Sequence, residues 1–160
     1  MPLDLDTGRG LAVGLLPEIV LSAWAMLLLL VAAWRHREPG AQRRLGWLSV
    51  AGLTLTSVVV AWLWAKGVYA EGLATSMAVD PFRWAVDLIV LLGAALTILL
   101  SIGYLDREGI QVPEYHVLVL FATVGMMLLA GGADLFVIFL GLELMSVSVY
   151  VLAGINRRSA

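Results

Sequence analysis

The chain has 160 residues, of which 61% are hydrophobic and only 14% charged, and its mean hydropathy is +0.95. Soluble domains carry about a quarter charged residues, so this composition is that of an integral membrane protein. The absence of cysteine excludes disulfides, thiolate zinc sites, iron–sulfur ligation and cysteine nucleophiles within the chain. A formal charge of −2 with no basic block gives nucleic acid no footing.

The first ten residues, MPLDLDTGRG, are acidic and lack the basic region of a signal peptide. The apolar run that follows, 11–34, is too long for a signal core and reads as a retained spanning helix. Pro17 and Glu18 stand near its start, where proline is tolerated and an acid suits the positive end of the helix dipole. Glu18 is therefore read as an interfacial helix-start residue. The loop 35–44, RHREPGAQRR, is basic, and its His36 has no second histidine or acidic cluster nearby to make a metal site. A second span, 45–64, has no ionisable residue. Its Thr54, Thr56 and Ser57 can return hydrogen bonds to their own helix.

The linker 65–81 ends in Asp80 and Pro81, a cap followed by a first-turn proline. The third span is expected over 84–105, with Asp87 one turn inside it, read as another helix-start acid or, alternatively, as a proton-accessible carboxylate. A short polar loop leads to the fourth span, 114–130. Its His116 is expected at the interface and its Met126 and Met127 as packing filler. Five of the six tryptophans, Trp34, Trp47, Trp62, Trp64 and Trp84, fall near span ends, as indoles prefer. Trp24 does not.

The fifth span, 134–154, is the informative one. Its 21 residues rise about 31 Å as a helix, close to the hydrocarbon thickness of a bilayer, and Glu143 is the tenth of them. A charge at that depth costs roughly 2.5–3.5 kcal/mol on insertion scales. Phe136, Phe139, Leu140, Ser146, Val147 and Tyr150 share its helix face. Ser146 and Tyr150 could extend a polar route from it, and Gly141 lets another helix or water come close. Glu143 is thus a proton-relay candidate or, alternatively, a protonated residue that glues helices together. No lysine, arginine or histidine falls deep in any span, so a cationic partner would have to come from elsewhere.

Loop charges set the orientation. With the N-terminus outside, the inner segments hold seven arginines (35, 37, 43, 44, 107, 157 and 158). The outer ones hold Arg9, Lys66 and Arg83. This is the positive-inside pattern for N-out and C-in. Nucleotide-binding glycine motifs, zinc-protease motifs and a Ser/His/Asp arrangement are all absent, so no enzymology rests on this chain alone.

The residues from Glu114-Tyr115 through VLVLFATVGMMLLAGGADLFVIFLGLELMSVSVYVLAG resemble subunit N of bacterial NADH–quinone oxidoreductase, respiratory complex I. Leu16-Pro17-Glu18, Asp80, and Ser101 with Tyr104-Leu105 add to the likeness, which is most specific over 121–154. The wider family includes subunits L and M and multi-subunit cation/proton antiporters. There the matching glutamate more often follows a tryptophan. Here it stands in GLELMS at 141–146, which favours subunit N and leaves the antiporter as the alternative.

The resemblance implies an all-α, multi-pass, antiporter-like subunit in the bacterial inner membrane, partnered by other membrane-arm subunits and the lipid bilayer. Residues 1–113 would be N-terminal helices and 114–160 the start of a proton-channel domain. It also implies that Glu143 pairs with a lysine two helices further on. No cofactor or metal is expected on this chain. NADH, quinone, FMN and iron–sulfur clusters would belong to the whole complex, with the redox chemistry on other subunits. Family members have about fourteen helices, so the expectation is a truncated or split subunit that does not move protons alone.

Overall fold

The computed structural model describes residues 2–3, 8–34, 40–70, 76–108 and 112–155. His36 and Asn156–Arg158 lie outside them. Among these residues six helices occur in chain order: α1 (Gly8–Gly14), α2 (Leu16–Trp34), α3 (Ala41–Ala65), α4 (Pro81–Glu108), α5 (Glu114–Gly131) and α6 (Leu135–Gly154). All but the short α1 are long and apolar enough to cross a membrane, giving five candidate spans among the described residues. Two residue pairs form a minimal parallel ladder, β1 (Pro2–Leu3) with β2 (Tyr69–Ala70), which ties the start of the chain to the segment after α3.

The first expected span is divided. Pro17 has no N–H to offer Val13, so the ladder slips at Leu15 and α1 gives way to α2. Bonds from Leu15 N to Leu11 O and from Ile19 N to Leu15 O, both 2.9 Å, carry the chain across the break. The third span starts at Pro81 rather than Trp84, which brings Arg83 inside the helix.

The end of α3 shows how a local sequence sets up a distant contact. Gly67 adopts φ +59°, a left-handed conformation glycine enters freely. That lets Gly67 N bond to Trp64 O at 2.9 Å and Val68 N to Leu63 O at 3.1 Å, the paired bonds of a Schellman stop. Val68 and Leu63 are both buried, supplying the apolar contact that accompanies such a stop. The Val68 carbonyl is then free to accept from the Trp84 indole at 3.1 Å. Trp84 is therefore fully buried inside the bundle, a correction to its expected place among the headgroups. Trp34, Trp47, Trp62 and Trp64 do face outward.

α5 is the central helix, contacting α2, α3, α4 and α6. It is apolar on every side, as a helix enclosed by others must be. Met127 is fully buried in the core, as filler. Trp24, the indole expected out of place, lies across Gly52 of α3 and donates to the Leu48 carbonyl at 2.9 Å. Thr54, Thr56 and Ser57 bond back to the carbonyls of Ala51, Gly52 and Leu53 at 2.8–2.9 Å and line no polar path.

α6 rests chiefly on α5. The two helices cross at glycines: a Cβ on Gly125 would lie 2.7 Å from the Gly141 carbonyl oxygen, and one on Gly141 would lie 2.9 Å from that of Gly125. Such close backbone approach is how helices associate where lipid removes the hydrophobic drive.

Candidate functional site

The crossing at Gly141 decides where Glu143 points. Two residues on, a helix has turned about 200°, so Glu143 stands opposite the face that meets α5. Gly141 and Ser148 are buried on the inner face, whereas Glu143 is exposed. Phe136, Phe139, Leu140, Val147 and Tyr150 are exposed beside it, with Tyr150 at 73% and Phe136 at 65%. Ser146 is half-buried. Glu143, Ser146 and Tyr150 thus share one side of α6, as expected, but no hydrogen bond links them. Glu143 has no ion-pair partner among the described residues. The helix brought close by Gly141 is α5, on the side away from the carboxylate.

A second polar arrangement is buried at the end of the bundle where α2 and α4 begin. It is built from the linker upward. Asp80 Oδ1 accepts from Arg83 N at 2.7 Å, and Asp80 O accepts the first helical bond, from Trp84 N, at 3.3 Å. Asp80 is thus the expected cap, with Pro81 in the first turn. The segment before it pairs with the α5–α6 turn: Ala78 N bonds to Gly131 O at 2.8 Å, and Ala133 N to Ser76 O at 3.1 Å. These contacts aim Arg83 inward. Its side chain lies against Gly131, where a Cβ would sit 2.5 Å from Nε, and over the Trp84 ring at 5.0 Å.

The Arg83 guanidinium is fully buried. One Nη donates to the Ala78 carbonyl at 3.1 Å, and the other donates to Glu18 Oε1 of α2 across 65 residues. Asp87, one turn further into α4, is also fully buried, with Oδ2 3.7 Å from Arg83 Nε. That is a Coulombic contact and too long for a hydrogen bond. Both Asp87 oxygens, Arg83 Nε and Glu18 Oε2 have no hydrogen-bond partner. Glu18 does sit in the first turn of α2, as expected, but inside the protein and paired, not at the interface.

The sequence held a signal for this cluster. A cation three residues into a proline-started helix stands four residues before an acid, and another acid opens a span expected to begin at the same end. Each acid was accounted for by its own helix dipole, which left the pairing between helices unseen.

At the opposite end, His116 is fully buried, a correction to its expected interfacial place. Its ring meets Tyr115 edge-on at 5.4 Å and fills the space above Gly46, where a Cβ would lie 3.1 Å from Nε2. Gln42 and Ser49 are buried on the same side of α3 as Gly46. No group of three or more metal-ligating side chains occurs among the described residues.

The cap carries a simple test. Asp80→Ala is expected to lower stability by about 1 kcal/mol, the usual worth of a capping side chain. Equilibrium unfolding in mixed micelles checks it. An unchanged midpoint would show that Pro81 and the 76–78 pairing hold α4 without the cap.

No protein-family model matches the chain. Individual relatives do. NADH-quinone oxidoreductase subunit N of Gemmatimonas aurantiaca is 47% identical over 169 residues, covering 100% of this chain and 32% of the relative. Subunit N 2 of Roseiflexus castenholzii is 44% identical, covering 84% of this chain and 26% of the relative. Subunit N of Trichlorobacter lovleyi is 41% identical, covering 91% and 29%. The chain spans about a third of the length of these curated relatives. With all-α architecture, five candidate spans and this level of identity, the chain is a homologue of the NADH-quinone oxidoreductase subunit N family.

Proposed function

We propose that this chain serves in the membrane arm of a proton-translocating NADH–quinone oxidoreductase, where Glu143 is one carboxylate of a proton half-channel. The carrying observation is the position of Glu143: near the middle of α6, on the face turned away from every other helix. A carboxylate in lipid without a partner is costly, so the apolar face around it is matched to further polypeptide that brings an opposing cation. As that cation approaches and withdraws, the carboxyl releases and takes up a proton. Redox chemistry stays with other subunits, since this chain has no cysteine for cluster ligation and no nucleotide-binding motif. Ser146 and Tyr150 are placed to continue the route along the same side of α6. The loop charges support N-out and C-in, with the Arg83 end of the bundle facing outside.

Glu143→Gln in the assembled complex tests the relay. The amide keeps the shape and loses the transferable proton, so protons moved per NADH oxidised are expected to fall by roughly tenfold or more. Assembly should be retained. Normal pumping with normal assembly would defeat the relay, and loss of assembly with unaltered pumping per complex would make Glu143 a packing residue instead.

A further inference from the structure

We propose that Asp87 is a second proton-binding carboxyl, held neutral beside the Glu18–Arg83 ion pair and separate from Glu143. Three ionisable side chains are buried together, one cation and two acids. Fully ionised, they would leave a net negative charge inside the protein, an arrangement far more costly than a balanced pair. One proton removes it.

Geometry assigns that proton. Arg83 spends one Nη on Glu18 and the other on the Ala78 carbonyl, so its charge is matched by Glu18. Asp87 receives no hydrogen bond on either oxygen. A buried carboxylate with no donor is the worse anion of the two, and a carboxylic acid is the form that suits its site. No other charge reaches it. α3 carries Arg43 and Arg44, both exposed, in its first turn at the opposite end and meets only the exposed Lys66 at this one, and α2 brings only Glu18. α5 presents Gly131 at this end and carries its ionisable residues, Glu114, Tyr115 and His116, at the other.

The arrangement has two states. When Asp87 gives its proton to water, the new carboxylate lies 3.7 Å from an Arg83 Nε–H that has no acceptor. A shift of a few tenths of an ångström makes the bond, and Arg83 is then shared between two acids. When a proton returns to a carboxylate oxygen of Asp87, Arg83 relaxes to Glu18. The exposed Asp80, seven residues earlier and about 10 Å along the axis, marks the aqueous end.

Infrared spectroscopy of the full chain in lipid tests this without touching Glu143. Asp87 is the one aspartate buried among the described residues. A protonated-carboxyl stretch that shifts when aspartate carries carbon-13 at its side-chain carboxyl is therefore expected at neutral pH. It should vanish in Asp87→Asn and persist in Glu143→Gln. Glu18→Gln should abolish it too, because Asp87 must then ionise to balance Arg83. Absence of an aspartate band in the unaltered protein would overturn the proposal. So would a band that survives Asp87→Asn, or one that follows labelled glutamate instead and survives Glu143→Gln.

Discussion

Arg83→Leu is expected to be the most damaging single change in the bundle, costing about 3–5 kcal/mol of stability. The leucine would fill much of the space beside Gly131, so the loss is electrostatic more than steric. Glu18 would remain 3% exposed with its charge and no donor. The Ala78 carbonyl would lose its guanidinium bond, and with it one of the contacts that join the linker to α4. Because the pair spans α2 and α4, the damage should appear as loosening of the whole Arg83 end. Unfolding in mixed micelles or by steric trapping measures it. The double variant Arg83→Leu with Glu18→Leu should recover most of the loss, since well-packed apolar residues commonly replace a buried ion pair at little cost. A single variant as stable as the parent would mean that the cluster contributes nothing to the fold.

Gly125→Leu is expected to separate α6 from the bundle. Its Cβ alone would meet backbone atoms of Gly141 and Met145 at 2.7 Å, and backbone cannot rotate out of the way as a side chain can. Overpacking typically costs about 1–3 kcal/mol, and a clash of backbone against side chain belongs at the upper end. α6 has little else to hold it, since its inner face rests chiefly on α5. A cysteine placed at the buried Ser148 reads the outcome cleanly, because the chain has no cysteine of its own. It should be protected from a lipid-soluble maleimide in the parent background and labelled readily with Gly125→Leu. Continued protection would show that α5 and α6 can slide to a new crossing without parting.

The five spans were legible because each is an uninterrupted apolar run bounded by polar residues. Their ends were legible where a chemical signal is local, as at Asp80 and Pro81. The division of the first span is local as well, but Pro17 was read only as a helix starter. What the sequence did not disclose is which way each residue faces. Trp84 was placed at the correct helix end and on the wrong side of it, because indoles also fill bundle interiors when a carbonyl such as that of Val68 is offered. His116 was misplaced for the same reason. Glu143 could be located along α6 from the sequence, whereas its outward direction follows from the Gly125–Gly141 crossing, a contact between two helices. The cluster of Glu18, Arg83 and Asp87 was the hardest to see. Its residues each satisfy a local rule, and only packing shows that they satisfy one another.

The distance in sequence between Glu18 and Arg83 has a consequence for synthesis. Chains grow at about 5–20 residues per second, so Glu18 is made roughly 3–13 s before the arginine that balances it. During that interval α2 and α3 can enter the bilayer, but the acid at the head of α2 has no buried counterion. It must wait at the headgroup level or carry a proton of its own. The arrival of α4 then draws it inward, and the third crossing completes the first. An insertion intermediate that stops before Pro81 should therefore hold α2 higher in the membrane than the finished protein does.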